Sequence, residues 1–164
     1  LPGVKGELVY FISHNIARLE AVDGVKTWIH RKGATRAFPA GHASLRGTPF
    51  EHTGHPILLP GNPVDGSSVM VAREGARESL YSINHGAGRL MGRKQAERTL
   101  DQKTVNASFE TADILTNSRN YPIDESPRAY KDFGEVIRSV TEAGLASEVA
   151  RLRARFVIKD ADKG

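Results

Sequence analysis

The 164-residue sequence contains no cysteine. Disulfides, iron–sulfur clusters and thiolate zinc sites are therefore excluded, and His, Asp and Glu remain as the strong metal ligands. No apolar run approaches the ~20 residues that a membrane-spanning helix needs. Residues 1–7 carry neither the basic nor the apolar block of a signal peptide. The expectation is a soluble, cytoplasmic protein with no membrane partner. Internal repeats, low-complexity tracts and dividing linkers are missing as well, so residues 1–164 are read as a single unit. Strong charge of one sign is also lacking: 23 Lys and Arg against 19 Asp and Glu leave +4, which permits a polyanionic partner without requiring one. The first residue is Leu rather than Met, which leaves open that the sequence is a piece of a longer chain.

Enough is present for one folded domain. Hydrophobic residues make up 39% and charged residues 26%, a globular rather than a disordered balance. Short apolar runs at 7–12 (ELVYFI), 25–29 (VKTWI), 56–59, 67–72 and 79–83 read as strands, several of them ending in polar, glycine-bearing loops. Residues 89–100 are rich in helix formers and read as a helix. The clearest helix is 132–144, with Phe133, Val136, Ile137, Val140 and Ala143 on one face, Asp132 and Glu135 at its start and Gly144 at its end. A further helix is expected at 146–153 and a short strand at 156–158. Irregular interleaving of this kind favours an α+β class, with a mixed sheet and flanking helices.

Several segments carry side chains suited to chemistry. Asn84-His85-Gly86-Ala87-Gly88-Arg89 sits between an expected strand and an expected helix. Gly86 and Gly88 let backbone approach a ligand, N–H groups at a helix start point at anions, and Arg89 and Arg93 add charge. An imidazole beside an α-phosphate so held can act as a nucleophile through nitrogen. A tight glycine turn with a capping histidine fits the same motif. His14, followed by Asn15, stands where a strand would end and could be a metal ligand or a hydrogen-bonded histidine. Residues 30–36 (HRKGATR) place cations around Gly33, as a polyphosphate or RNA backbone requires and as a solvated basic loop also shows. His42, His52 and His55 match no metal-ligand spacing and read as structural. Tyr130, ahead of the capped helix, could stack on a base or staple the helix entry.

SHNIA at 13–17, HRKGATRAFPAG at 30–41, NHGAGRLMGR at 84–93 and DESPRAYKD at 124–132 occur in one order. Together they resemble the RtcB family of GTP-dependent RNA ligases, over essentially the whole chain but only the carboxy-terminal part of the family's length. The resemblance implies an RtcB-like fold. It also implies an enzyme that joins RNA 3′-phosphate or 2′,3′-cyclic phosphate ends to 5′-hydroxyl ends, with GTP as co-substrate and Mn²⁺ as cofactor, in tRNA splicing or RNA repair. By the same resemblance His85 takes GMP covalently and His14 is one ligand of a two-metal site. Ser67, Gly86, Ala87, Gly88, Tyr130 and Lys159 contact the guanine nucleotide, and Lys32, Arg36, Arg89 and Arg93 hold RNA or phosphate. Two departures stand out. The family's PGSMG-type loop is here Pro60-Gly61-Asn62-Pro63-Val64-Asp65-Gly66-Ser67, and a Lys-Gly ending makes Lys163 a rival to Lys159. The family's other metal ligands lie in an amino-terminal part outside this sequence, so the chain alone is expected not to complete the metal centre and to be inactive by itself. A non-catalytic RNA-binding module and a GTP-dependent end-capping enzyme are the alternatives, and the resemblance leaves open a protein activator.

Overall fold

A computed structural model describes Gly3 and residues 5–159. Nine strands run in chain order: β1 Asn15–Val22, β2 Val25–Lys32, β3 Ala34–Arg36, β4 Pro56–Pro60, β5 Ser67–Ala72, β6 Ser82–Asn84, β7 Leu115–Thr116, β8 Ala146–Leu152 and β9 Phe156–Val157. Three α-helices join them: α1 Arg93–Thr99, α2 Gln102–Thr111 and α3 Phe133–Glu142. The class is α+β, but the strands do not form one mixed sheet. They form four small sheets: β1-β2, β3-β6 and β4-β5-β8, all antiparallel, and the parallel pair β7-β9. None of the helices is long and apolar enough to cross a membrane among the described residues.

The core lies between the β4-β5-β8 sheet and α3. Ile57, Leu59, Met70 and Ala72 from the sheet meet Phe133, Ile137 and Val140 from the helix, all nearly or wholly buried. Strand β5 alternates half-buried and buried residues along its whole length, the period-2 pattern of a strand with one face on a core. Helix α3 starts as its sequence predicts: the Asp132 carboxylate accepts from the Glu135 N–H at 2.7 Å, and Gly144, at φ +66°, lets the chain turn away. A second cluster, Val105, Phe109, Ile114 and Tyr121, anchors α2 to the loops after it.

Three expectations are corrected, and the strand expected at 79–83 shrinks to β6, Ser82–Asn84, because Leu80 and Tyr81 stand at positive φ. Residues 7–12 are not a strand. Leu8, Val9 and Phe11 are about four-fifths exposed, and among the described residues no neighbouring strand offers them a ladder. The strand lies further on, where Asp23 and Gly24, both at positive φ, form the two-residue turn that closes the β1-β2 hairpin. Residues 146–152 are a strand despite their helix-forming composition. Gly144 reverses the chain, and β8 then completes the open edge of β5 with a bulge opposite Val69 and Met70. The helix expected at 89–100 spans only α1, because the Leu90 and Met91 amides donate to the Ala129 carbonyl instead of starting a helix.

His55 is structural, as its spacing suggests. It is buried, its Nδ1 accepts from the Phe38 N–H at 3.2 Å, and burial, with the charges of Arg36 and His42, pushes its pKa down to about 4. An unfolded chain binds this proton near pH 6.5 and the folded chain does not. The stability His55 contributes is thus whole above about pH 6.5 and is lost as pH falls toward 4, by up to about 1.4 kcal/mol per pH unit. His42 and His85 shift the same way. The check is therefore a difference: denaturant melts of His55→Gln, which can still accept from Phe38, should show a shallower loss of stability between pH 6.5 and 5 than the unmodified chain.

Candidate active site

The motif at 84–89 forms a turn pinned on three sides. The His85 N–H donates to the Gly33 carbonyl at 2.9 Å, and the Gly33 N–H in turn donates to the His14 carbonyl at 2.8 Å. The Ala87 N–H donates to the Pro60 carbonyl at 3.2 Å, with the Ala87 methyl in the core, and the Lys131 N–H donates to the Gly88 carbonyl at 3.1 Å. The turn therefore does not open a helix, since α1 begins only at Arg93, and any anion it holds must be met by its own amides. No acceptor meets the Gly86 or Gly88 N–H among the described residues. Gly88 has φ +78°, the left-handed backbone that a side chain disfavours.

His14 and His85, 71 positions apart, come together. Their rings stack with centroids 4.0 Å apart and planes 11° from parallel. His85 Nδ1 is buried without a hydrogen-bond partner. Burial, and then the charge of His14, pushes the His85 pKa down, which favours the neutral, nucleophilic imidazole. Among the described residues no three His, Asp or Glu side chains gather as a metal site would need. His14 is one imidazole donor in an incomplete set.

A cleft of about 380 Å³ opens where the β4-β5 loop meets Glu125, Tyr130, residues 152–154 and Lys159. Ser67, Tyr130 and Lys159, expected to contact guanine, all line it, together with Glu125. The cleft connects to the histidine turn by a short path: Ala87 donates to the Pro60 carbonyl, and Pro60 stands opposite Ser67 in the hairpin register. Glu125 is the hub that the sequence reading missed. Its Oε2 accepts from the Tyr130 hydroxyl at 2.7 Å and from Lys159 Nζ at 3.3 Å. Burial opposes its ionisation, but Tyr130 and the charges of Lys159 and Arg89 outweigh that and hold its pKa below the ordinary carboxylate value. Burial and Glu125 raise the Tyr130 pKa in return, so the phenol stays protonated. Only the acid at 125 within a motif read for its tyrosine could have signalled this role.

The basic residues separate. The Arg89 guanidinium is occupied: it donates to the Met91 and Asp124 carbonyls and to the Tyr130 hydroxyl, and lies 4.8 Å from the Tyr130 ring centre. It braces Tyr130, a residue of the cleft lining, and is only about one-quarter exposed. Arg93, two-thirds exposed, stands 3.7 Å from both Asp124 and Glu125 at a neighbouring cleft of about 680 Å³. Lys32 is exposed at the end of β2, paired with Asn15 beside His14. Arg36 lies apart from this cleft, half-buried near Phe38 and Tyr10, with its Nε unpartnered among the described residues and its pKa lowered first by burial. Arg31, central in the basic motif, turns inward. It makes a two-pronged pair with Glu20 at 2.8 Å and donates to Ser82, which ties the β1-β2 hairpin to the strand leading into His85. Lys163 lies outside the described residues.

Fold and site define an α+β protein in which an imidazole pair stands beside a polar cleft furnished with a tyrosine, a serine, a carboxylate and a lysine. The chain belongs to the RtcB family: the model described as tRNA-splicing ligase RtcB matches residues 2–160. It is 41% identical over 162 residues to a tRNA-splicing ligase RtcB of Methanopyrus kandleri, covering 93% of this chain and 16% of that protein. With the protein of the same name from Thermococcus kodakarensis it shares 42% over 160 residues, 93% of this chain and 33% of that protein. With an RNA-splicing ligase RtcB of Mycobacterium bovis it shares 38% over 156 residues, 92% and 36% respectively. The chain thus spans between about a sixth and about a third of the length of these relatives.

Proposed function

We propose that this chain carries the guanylylated histidine and the guanine cleft of an RNA ligase acting on 3′-phosphate or 2′,3′-cyclic phosphate and 5′-hydroxyl ends. The observation that carries the proposal is the meeting of His14 with His85 on a turn whose Ala87 hydrogen-bonds to the strand bearing the guanine-cleft loop. Support for RNA as the substrate comes from the relatives' names.

In this reading the guanine lies in the cleft against Tyr130, with Ser67 and Lys159 as polar contacts and Glu125 holding the Tyr130 hydroxyl and the Lys159 amine in place. The α-phosphate faces the Gly86 and Gly88 amides. A neutral His85 nitrogen attacks the α-phosphorus; a P–N bond forms, the bond to the bridging oxygen breaks and pyrophosphate leaves. The buried Nδ1 makes Nε2 the attacking nitrogen. The RNA 3′-phosphate then takes GMP from His85, breaking the P–N bond. A 5′-hydroxyl attacks the activated 3′-phosphorus, and GMP departs as the phosphodiester forms. Lys32, Arg36 and Arg93 are the cations available to RNA phosphates. Manganese would supply Lewis-acid neutralisation of phosphate charge. His14 would be one of its ligands, and the donor set of the described residues is too small to hold the metal alone.

The test is covalent transfer of label from α-labelled GTP with Mn²⁺. It is run on the chain itself and on a chimera in which the chain replaces the matching segment of the Thermococcus kodakarensis relative. Acid-labile, base-stable label on the chimera, followed by joining of a 2′,3′-cyclic phosphate RNA, is the expected result. Label without joining points to end capping, and no label removes the enzymatic reading. The chain by itself is expected to take little label.

A further inference from the structure

The β1-β2 hairpin has two unlike faces. One carries Ile29, Arg31 and Glu20 and packs against the body. The other is set by the register Asn15↔Lys32, Ala17↔His30, Leu19↔Trp28 and Ala21↔Lys26. Every residue on it is exposed. Trp28, the only tryptophan of the chain, is 63% exposed beside Leu19. Along β2 the outward side chains read Lys26, Trp28, His30, Lys32, a cation, an aromatic ring, an imidazole and a cation at successive steps of about 7 Å. No carboxylate lies on this face: Glu20 points the other way and Asp23 is in the turn, held by Arg77. Ala17 and Ala21 are too small to cover the tryptophan ring. At its inner end the face runs into the histidine pair, because Lys32 pairs with Asn15 and the next amide, that of Gly33, donates to His14.

We infer that this face is a track for single-stranded RNA, on which a base stacks upon Trp28 while Lys26 and Lys32 meet flanking phosphates and the strand's end is delivered to His14 and His85. Alternating cations and an exposed ring at extended-strand spacing suit a single strand, whose bases are free to stack, and do not suit a duplex, whose bases are already paired. A single strand matches the face in charge and in spacing at once, since its phosphates meet the lysines and a base between them meets the ring. The identity of the strand rests on the ligase reading above; the binding itself needs neither GTP nor manganese.

The single tryptophan makes the test direct. An unstructured 5′-hydroxyl oligouridylate is titrated into the chain without GTP or metal, and Trp28 emission is followed. Saturable quenching is expected, weakening with salt. Trp28→Ala, followed by fluorescence anisotropy of labelled RNA, should bind about tenfold more weakly and Trp28→Phe should recover most of that loss. Lys26→Ala with Lys32→Ala should reduce the slope of log affinity against log salt by about 1.4. All three variants are at exposed positions, and their melts should match the parent's. Emission unmoved at saturating RNA, equal binding by Trp28→Ala, or equal quenching by duplex RNA would overturn the track. Emission that depends on protein concentration but not on RNA would make the face a protein contact and also defeat it. Because His85 is untouched, label transfer from GTP can succeed or fail independently of each of these outcomes.

Discussion

His85→Ala, introduced into the chimera, is expected to abolish transfer of label from GTP, while the same change in the chain should leave its melting temperature nearly unaltered. The two halves of that result have separate causes. Loss of the imidazole removes the only nitrogen nucleophile on the turn, and no neighbouring side chain replaces a covalent group-transfer centre. His14, stacked at 4.0 Å, is the nearest alternative, so retained labelling in His85→Ala would relocate the chemistry to His14 or beyond. On the stability side, the ring gives up a stacking contact worth about 0.5–1.5 kcal/mol. Removing it also removes a buried Nδ1 that has no partner, a penalty of about 1–3 kcal/mol. The turn itself is held by main-chain bonds at His85, Ala87 and Gly88, which alanine keeps. Calorimetry of the chain, set beside gel detection of label on the chimera, separates loss of chemistry from loss of fold.

The same histidine has a pH signature. Burial and the His14 charge hold its pKa below the usual 6.5, so it stays neutral through the physiological range and becomes protonated only at lower pH. In the metal-free chain, titration of the His85 ring followed by NMR should give a midpoint below 6.5. His14→Ala, which removes one of the two lowering causes, should move that midpoint up. A midpoint at or above 6.5 in the unmodified chain would mean that the ring is solvated and not poised as described.

The framework around the cleft was legible in the sequence where its signals are local, whereas Ser67 and Lys159 entered only through the family resemblance. Strand β5, helix α3 and its Asp132 cap follow from periodicity and capping chemistry within a dozen residues. What escaped the sequence depends on partners far along the chain. Residues 146–152 have the composition of a helix and become a strand because β5 needs an edge partner about 80 positions away. Arg31 reads as one more surface cation until Glu20, folded back by the hairpin, claims it. Glu125 looks like an acid in a turn, and its meaning appears only when Tyr130 and Lys159 converge on it. The Asp23-Gly24 turn is a two-residue signal beside a more apolar run at 7–12, and that run has no strand to pair with among the described residues.

Gly66→Ala should damage both stability and the cleft beside Ser67 more than any other glycine-to-alanine change among the described residues. Gly66 stands at φ +83°, where a side chain costs about 1–2 kcal/mol by itself. A Cβ built there would lie 2.0 Å from the Leu152 carbonyl oxygen, and that oxygen belongs to backbone and cannot swing aside. Overpacking of this kind costs about 1–3 kcal/mol more, so a loss of roughly 2–5 kcal/mol is expected. The displacement falls where function would register it. The Gly66 carbonyl accepts from the Gly61 N–H and its own N–H donates to the Asn62 carbonyl, closing the loop that places Ser67 opposite Pro60, and Pro60 in turn holds Ala87 of the histidine turn. Denaturant melts of the chain should show the stability loss. Label transfer in the corresponding chimera should show a KM for GTP raised by more than kcat is lowered, since the cleft is disturbed directly and His85 only through Pro60. Gly47→Ala, also at positive φ (+74°) but with nothing within 4 Å of the added carbon, should lose only the backbone-strain part of that stability and leave the KM for GTP unmoved. Equal behaviour of the two variants would mean that the loop tolerates the shift and that its tight seat against β8 does not position Ser67.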